Sequence, residues 1–235
     1  MIASVVFDLD GTLAPIGEGV SSENLALLKQ IEEKGVHIAL SSGKPTFYLC
    51  GFARQMGLKK AVLIGENGGA LQVGVDLPPK IAQRAAVPPL TREALRMLRE
   101  KLESAFPDRI WYQPNETALT PFPAYQEDFP PIRNLIREFL TPEMELSVYE
   151  HPDCFDIVYA LQSKATGIEL LCRVLGIRAH QIIAVGDWTN DYPMFRAAGY
   201  SVGISLPDPE KASVCFDSLH DALVHILEKI GENGA

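Results

Sequence analysis

Cysteine is scarce and never clustered in this chain. Cys50, Cys154, Cys172 and Cys215 stand far apart among 235 residues, with no CxxC pair. That spacing excludes a sequence-local zinc or dithiol motif, and reduced, mostly buried thiols are the expectation. Positive charge is also short: 21 Lys and Arg against 30 Asp and Glu give a formal net charge of -9. A nucleic-acid partner is therefore not expected, because backbone affinity comes from clustered basic side chains. No apolar run is long enough to span a bilayer, so no membrane partner is expected. The first residues lack a basic segment and their apolar run is interrupted by Asp8, which argues against an ordinary signal peptide and makes a cytoplasmic address the expectation. The remaining composition, 47% apolar and 22% charged, is that of an ordinary globular protein. The length suits one domain carrying a sizeable insertion.

The most informative stretch is Val5-Val6-Phe7-Asp8-Leu9-Asp10-Gly11-Thr12-Leu13. Its short, β-branched lead-in, Ile2 to Phe7, predicts a strand buried on both faces. Residues i and i+2 of a strand face the same way, so Asp8 and Asp10 are expected to point together into one crevice at the strand's carboxyl end. Two carboxylates this close repel unless a cation or fixed donors neutralise them. A hard divalent ion answers that need, Mg²⁺ first, because it is commonly held by one or two carboxylates plus phosphate oxygens. Solvated turn residues are the plain alternative.

Taken in order, the chain alternates strand and helix. A helix starts at the Ser21-Ser22-Glu23 cap and ends at Gly35; a strand, Val36 to Leu40, leads into Ser41-Ser42-Gly43-Lys44; Pro45 opens a second helix ending near Gly57. A third strand, Ala61 to Ile64, runs into Glu66-Asn67-Gly68-Gly69. This rhythm predicts an α/β protein with a doubly wound, Rossmann-like parallel sheet. After a short Leu71 to Val75 strand, Pro78, Pro79, Pro88 and Pro89 mark a linker. Beyond it, an αββαββ series (helix about 91 to 106, strands about 110 to 113 and 116 to 122, helix about 131 to 140, strands about 145 to 150 and 155 to 160) predicts a small antiparallel sheet backed by two helices. The first rhythm then resumes with a helix from Lys164 to Leu175, a strand from Gln181 to Val185 ending in Gly186-Asp187-Trp188-Thr189-Asn190-Asp191, a strand from Ser201 to Ile204 and a last helix from about Asp221. The expected division is 1–79 with 162–235 as core and 80–161 as an inserted α+β domain.

These loops offer the parts that phosphoryl transfer needs. Asp8 suits a nucleophile and Asp10 a general acid and base. Asp187 suits a metal ligand, with Asn190 and Asp191 as ligand or supporting groups. Ser42 can donate to a phosphate oxygen, and Lys164, at a helix start, can add its ammonium. Each feature alone is ordinary turn chemistry.

Together, Asp8-Leu9-Asp10-Gly11-Thr12, Ser42-Gly43, Lys164 and Gly186-Asp187 to Asn190-Asp191 resemble the four motifs of the haloacid dehalogenase (HAD) superfamily of aspartate-nucleophile phosphatases. The segment between Gly69 and Lys164 is similar to the α/β cap of its Cof-like branch. The resemblance implies a phosphatase of small phosphorylated metabolites that uses Mg²⁺ and an aspartyl phosphate. Asp8 would be nucleophile and metal ligand, Asp10 acid/base with its backbone carbonyl on the metal, and Asp187 the third ligand. Ser42, Gly43, Lys164 and Asn190 would bind phosphate, supported by Thr12 and Asp191. Three positions depart from the pattern: Lys44 stands where relatives usually carry Arg, Trp188 where a small residue is usual, and Ala165 where Gly often follows the lysine. A lysine cannot make arginine's bidentate fork, so the grip at position 44 is expected to differ. Trp188 either packs beside the acidic loop or stacks on substrate.

Glu66-Asn67-Gly68-Gly69 is similar to the loop of phosphoglycolate and mannosyl-3-phosphoglycerate phosphatases, although a plain turn explains its glycines equally. Lys44, Glu66, Asn67 and, at the inserted domain's hairpin tip, Asn115 and Glu116 are the candidate substrate contacts; a solvated turn is the alternative for the last two. Two other readings stand beside the phosphatase: a phosphomannomutase-like phosphotransferase, and a noncatalytic phospholigand-binding module. The first would need arginines for a second phosphate, and the second would have no need of both Asp8 and Asp10. A monomer or a homodimer is expected.

Overall fold

A computed structural model describes residues 1–232. In chain order its elements are β1 (Ser4–Asp8), α1 (Ser22–Glu33), β2 (His37–Ser41), α2 (Thr46–Met56), β3 (Val62–Gly65), β4 (Ala70–Val73) and β5 (Ile81–Arg84). There follow α3 (Pro89–Ala105), β6 (Ile110–Gln113), β7 (Thr120–Pro123), α4 (Phe129–Phe139), β8 (Leu146–Glu150) and β9 (Phe155–Tyr159). The chain closes with α5 (Lys164–Leu175), β10 (Ile182–Gly186), α6 (Tyr192–Ala197), β11 (Tyr200–Ile204), β12 (Val214–Phe216) and α7 (Leu219–Glu232).

Among the described residues, one eight-stranded sheet has the order β12-β11-β10-β1-β2-β3-β4-β5. Its strands from β12 to β3 are parallel, and β4 and β5 add antiparallel at one edge. β1 lies centrally and is buried throughout. Its side chains alternate: Val5 and Phe7 join the core under α1, α2 and α7, whereas Val6 joins the core under α5 and α6. That is the doubly wound arrangement, with helices covering both faces of a parallel sheet.

Two strands were not legible from pattern. β5 is short and all its residues are exposed, and β12, although apolar, has three residues, too few for the pattern that announces a strand. Because β5 pairs with β4 through Val73↔Ile81 and Ala70↔Arg84, the main sheet extends beyond residue 80, the boundary expected for the insertion.

The αββαββ series is realised as two hairpins, β6-β7 and β8-β9, joined by the Leu119↔Ile157 bridge. Its own core gathers Leu95, Leu98 and Leu102 of α3, Ile132 and Ile136 of α4, and Leu119, Phe155 and Ile157. Strand alternation then turns Gln113, Thr120, Tyr149 and Asp156 to the opposite side, toward the main sheet. Thr120 begins β7 later than the expected residue 116, because residues 115 to 118 form the hairpin tip and bond to the core loops instead. No described helix is long and apolar enough to cross a membrane.

Candidate active site

Parity along β1 places Asp8 on the same side as Val6, the side covered by α5. Lys164 is the first residue of α5, and its Nζ lies 2.6 Å from Asp8 Oδ1 and 2.6 Å from Asp191 Oδ1. All three groups are buried, at 7, 2 and 0% exposure for Asp8, Lys164 and Asp191. Ser163 caps α5 by accepting from Ala165 N, which fixes where Lys164 leaves the backbone. Burial works against the Lys164 ammonium, but Asp191 and Asp8 outweigh it and hold its pKa above the ordinary lysine value.

Asp191 uses both oxygens internally. Its Oδ2 accepts from the backbone N–H of Asp187 at 3.0 Å and of Trp188 at 3.2 Å. It thereby shapes the loop after β10 and aims Asp187 at β1. Thr12 donates to Asp187 Oδ1. Gly11 lies against the same carboxylate at φ +90, where a Cβ would meet Asp187 Oδ2 at 2.5 Å. Any larger residue would be strained in backbone and would fill the acidic crevice.

Carboxylate oxygens of Asp8, Asp187 and Asp191 all lie within 4.8 Å of one another. Three carboxylates against one ammonium leave an excess of two negative charges when all are ionised. The protein alone resists that state. Burial most of all pushes Asp8 up to about 8, with Lys164 opposing and Asp191 and Asp187 adding to the rise. Asp187 is raised as well, by burial first, with Thr12 opposing. This cluster has the charge, the hard oxygen donors and the cradle for a divalent cation. Asp8 and Asp187 could hold it, since Asp191 is already engaged by Lys164 and two N–H groups.

The expectation that Asp8 and Asp10 share one strand face needs correction. β1 ends at Asp8, and a turn follows in which Leu9 O accepts from Leu13 N and Ala14 N. The Asp10 carboxylate accordingly stands outside the converging set and lies 3.6 Å from Lys44 Nζ. Only its backbone carbonyl is left as a means of touching the ion expected there. Lys44 in turn reaches the acidic loop rather than solvent.

Ser42 is buried, and its hydroxyl oxygen accepts from Lys44 N at 3.2 Å, leaving its proton to donate. Gly43 lies between core and insertion: its carbonyl accepts from Gln113 Nε2 at 2.9 Å, and a Cβ there would meet Asp156 Oδ2 at 2.9 Å. Asn190 lines a cavity beside Lys164, and its Oδ1 is buried without a protein partner. Trp188 is 59% exposed, so its ring is only partly covered beside the loop.

The candidate substrate contacts divide. Glu66 is 1% exposed, and its carboxylate accepts from Glu116 N, Thr117 N and Thr117 Oγ1; it holds the hairpin tip of the insertion. Glu116 pairs outward with Arg84, and Asn115 donates to Thr120 Oγ1. None of these three side chains is offered to the crevice. Asn67, at φ 52, lines the cavity and donates from Nδ2 to Asp156 Oδ2 at 2.8 Å. Asp156, together with Tyr149, His151, Gln113, Thr117 and Gln162, was missed from the sequence. A carboxylate between Phe155 and Ile157 in an apolar strand was the available signal, since a buried charge requires partners.

The sequence profile of the haloacid dehalogenase-like hydrolases matches residues 5–77 and 117–210. A phosphoglycolate phosphatase of Methanosarcina acetivorans is 28% identical over 98% of this chain and 97% of its own. An HMP-PP phosphatase of Serratia proteamaculans is 26% identical over 88% of this chain and 86% of its own. Among solved structures, a HAD subclass IIB sugar phosphatase superposes with a TM-score of 0.70 at 20% identity, over 95% of this chain and 98% of that one. By profile and fold together, with the acidic loops that carry the motifs inside the matched segments, the chain belongs to the haloacid dehalogenase-like hydrolases.

Proposed function

We propose that this chain is a Mg²⁺-dependent phosphatase that hydrolyses a small phosphorylated metabolite, such as a sugar phosphate, phosphoglycolate or a phosphoglycerate-type ester, through an aspartyl phosphate on Asp8. The observation that carries the proposal is the buried cluster of Lys164, Asp8, Asp187 and Asp191 at the carboxyl ends of β1 and β10, where open α/β sheets bind ligands. The names of the relatives, all phosphatases of small phosphorylated compounds, support it.

In this reading an Asp8 oxygen attacks phosphorus while the ester oxygen departs with a proton from Asp10; water, deprotonated by Asp10, then cleaves the acyl phosphate and restores both residues. Lys164, Ser42 and Asn190 hold the phosphoryl oxygens, with Gly43 supplying backbone. Asp8 and Asp187 would hold Mg²⁺, which would supply charge neutralisation at those carboxylates and at the phosphate. Residues 85–161 form a cap that covers the crevice and excludes water.

Against the phosphotransferase alternative, most arginines of the insertion that a second phosphate would need are already engaged, Arg92 by the Val87 carbonyl. On the insertion, Arg96, Arg99, Arg109 and Arg133 are all occupied by neighbouring carboxylates. A binding module would not need an excess of buried carboxylates poised for a cation. The test is phosphate release from a panel of phosphomonoesters with and without Mg²⁺. Turnover of at least one ester that chelation stops and Mg²⁺ restores is expected; no release from any, or release indifferent to chelation, would overturn the proposal.

A further inference from the structure

A cavity of about 70 Å³ opens beside Lys164, walled by the loop after β10 on the core and by Tyr149 and His151 of the insertion. Its chemistry is unlike that of the crevice next to it. In a chain of net charge -9, no carboxylate among the described residues lines this cavity; the polar lining comprises the Lys164 ammonium, the His151 imidazole, the amides of Asn67 and Asn190, and hydroxyls.

His151 is set there by its neighbours. Its backbone N–H donates to Cys154 O across the β8-β9 turn, and its Nε2 lies 3.3 Å from Asp156 Oδ2. Asp156 is fixed in turn by Thr120 Oγ1 at 2.7 Å and Asn67 Nδ2 at 2.8 Å. With Nε2 directed at Asp156, Nδ1 is the ring nitrogen left for another partner, and it donates when the ring is protonated. Tyr149, opposite Asp156 in the β8-β9 register, and Pro193 give one apolar wall.

Building on the phosphatase reading, we infer that this cavity receives the leaving group and that His151, positioned by Asp156, makes it select phosphomonoesters whose leaving group bears a carboxylate over neutral ones of the same size. Lys164 is engaged by Asp8 and Asp191, and Asn67 by Asp156, so the charged donor of this lining left for a carboxylate, which presents acceptors only, is the His151 imidazolium. Hydrogen bonding to Asp156 is the main cause that holds the His151 pKa above the ordinary histidine value, with burial opposing. The other charges bearing on the ring are Asp153 in the same turn and Lys44 from the core loop, and Lys164 shares the cavity.

The test compares 2-phosphoglycolate with its neutral counterpart, 2-hydroxyethyl phosphate, on the full-length protein with Mg²⁺. Wild type should favour the acid ester, and His151→Gln should lower the acid-to-neutral ratio of kcat/KM about tenfold through the KM of the acid ester. His151→Lys should restore most of the preference. In wild type the ratio should fall as pH rises through the His151 titration, and in His151→Gln it should stay flat; events at Asp8 and Asp10 are common to both esters and cancel. An unchanged ratio in His151→Gln, or equal losses on both esters, would assign the cavity elsewhere and overturn the inference. If wild type turns over neither ester nor p-nitrophenyl phosphate, the phosphatase reading itself falls. Calorimetric binding of the same two esters then decides the cavity alone: a preference for the acid that His151→Gln abolishes supports it, and equal affinities refute it.

Discussion

The floor and the roof of the crevice solve opposite electrostatic problems. On the floor, three carboxylates surround one ammonium and burial drives Asp8 upward, so the site is under-neutralised until something positive arrives. On the roof, the buried carboxylate that faces the main sheet, Asp156, is met by Thr120, Asn67 and His151 and is held below the ordinary aspartate range despite burial, with His151 the leading favourable cause. One region stores unsatisfied charge and the other is satisfied internally. Chemistry belongs where the protein tolerates imbalance, and recognition where donors are already organised.

The sharpest way to break this contrast is to neutralise the floor. Asp8→Asn should abolish measurable turnover while the fold persists, because the amide has the same shape but is a far poorer nucleophile. Its stability should move the other way. Asp8 has a folded pKa raised to about 8, so its favourable contribution is complete below the unfolded value near 4 and is lost as pH rises toward 8. Metal-free wild type should therefore lose thermal stability relative to Asp8→Asn between those limits. Melts in chelator across that range check the sign, and parallel curves would show that Asp8 carries no such burden.

Supplying the missing charge is the complementary test. Mg²⁺ should restore chelated enzyme, Ca²⁺ should inhibit through its looser coordination, and binding near pH 7 should release protons, since Asp8 must ionise to bind. Titration calorimetry in buffers of different ionisation enthalpy measures that release. Asp187→Asn should raise the Mg²⁺ requirement about tenfold or more, and an unchanged requirement would point to other ligands. Asp10→Asn lies outside the cluster and should act on proton transfer instead, lowering kcat by about 10² to 10⁴ with metal affinity little changed. Loss of Mg²⁺ affinity in that variant would place Asp10 among the ligands after all.

The floor was far more legible in the sequence than the roof. Asp8, Asp187, Asp191 and Lys164 announce themselves because each follows a strand or opens a helix with a clear cap, and local pattern fixes such positions. Their convergence rests on sheet order, β10 beside β1, which the strand-helix rhythm alone does not fix. Asp10 was misplaced because the i, i+2 rule holds only while the strand continues, and Gly11 at φ +90 belongs to the turn that stops it. On the roof the relevant partners are long-range: Glu66 with Thr117, Gln113 with Gly43, Asn67 with Asp156. No periodicity encodes which hairpin tip meets which loop. The short strands β5 and β12 escaped for a related reason, β5 being specified by the edge it joins rather than by apolar content and β12 being too brief to show a period.

The subtlest test separates the two regions at their seam. Glu66 anchors the insertion's hairpin tip with one carboxylate that serves two N–H groups and a hydroxyl, while Gln162 Nε2 donates to its backbone carbonyl at 2.6 Å. Glu66→Ala strands the donors of Glu116 and Thr117 and should cost about 1–3 kcal/mol, read by urea unfolding. Glu66→Gln keeps the size but gives up the charge that strengthens all three bonds, so its loss should be smaller. Neither change touches the floor, so activity on p-nitrophenyl phosphate at saturating Mg²⁺ should fall less than kcat/KM for a metabolite that needs the roof in place. If Glu66→Ala depressed both substrates equally and left stability intact, Glu66 would be acting on the chemistry rather than on the docking of the insertion, and the separation of floor from roof at this seam would be wrong.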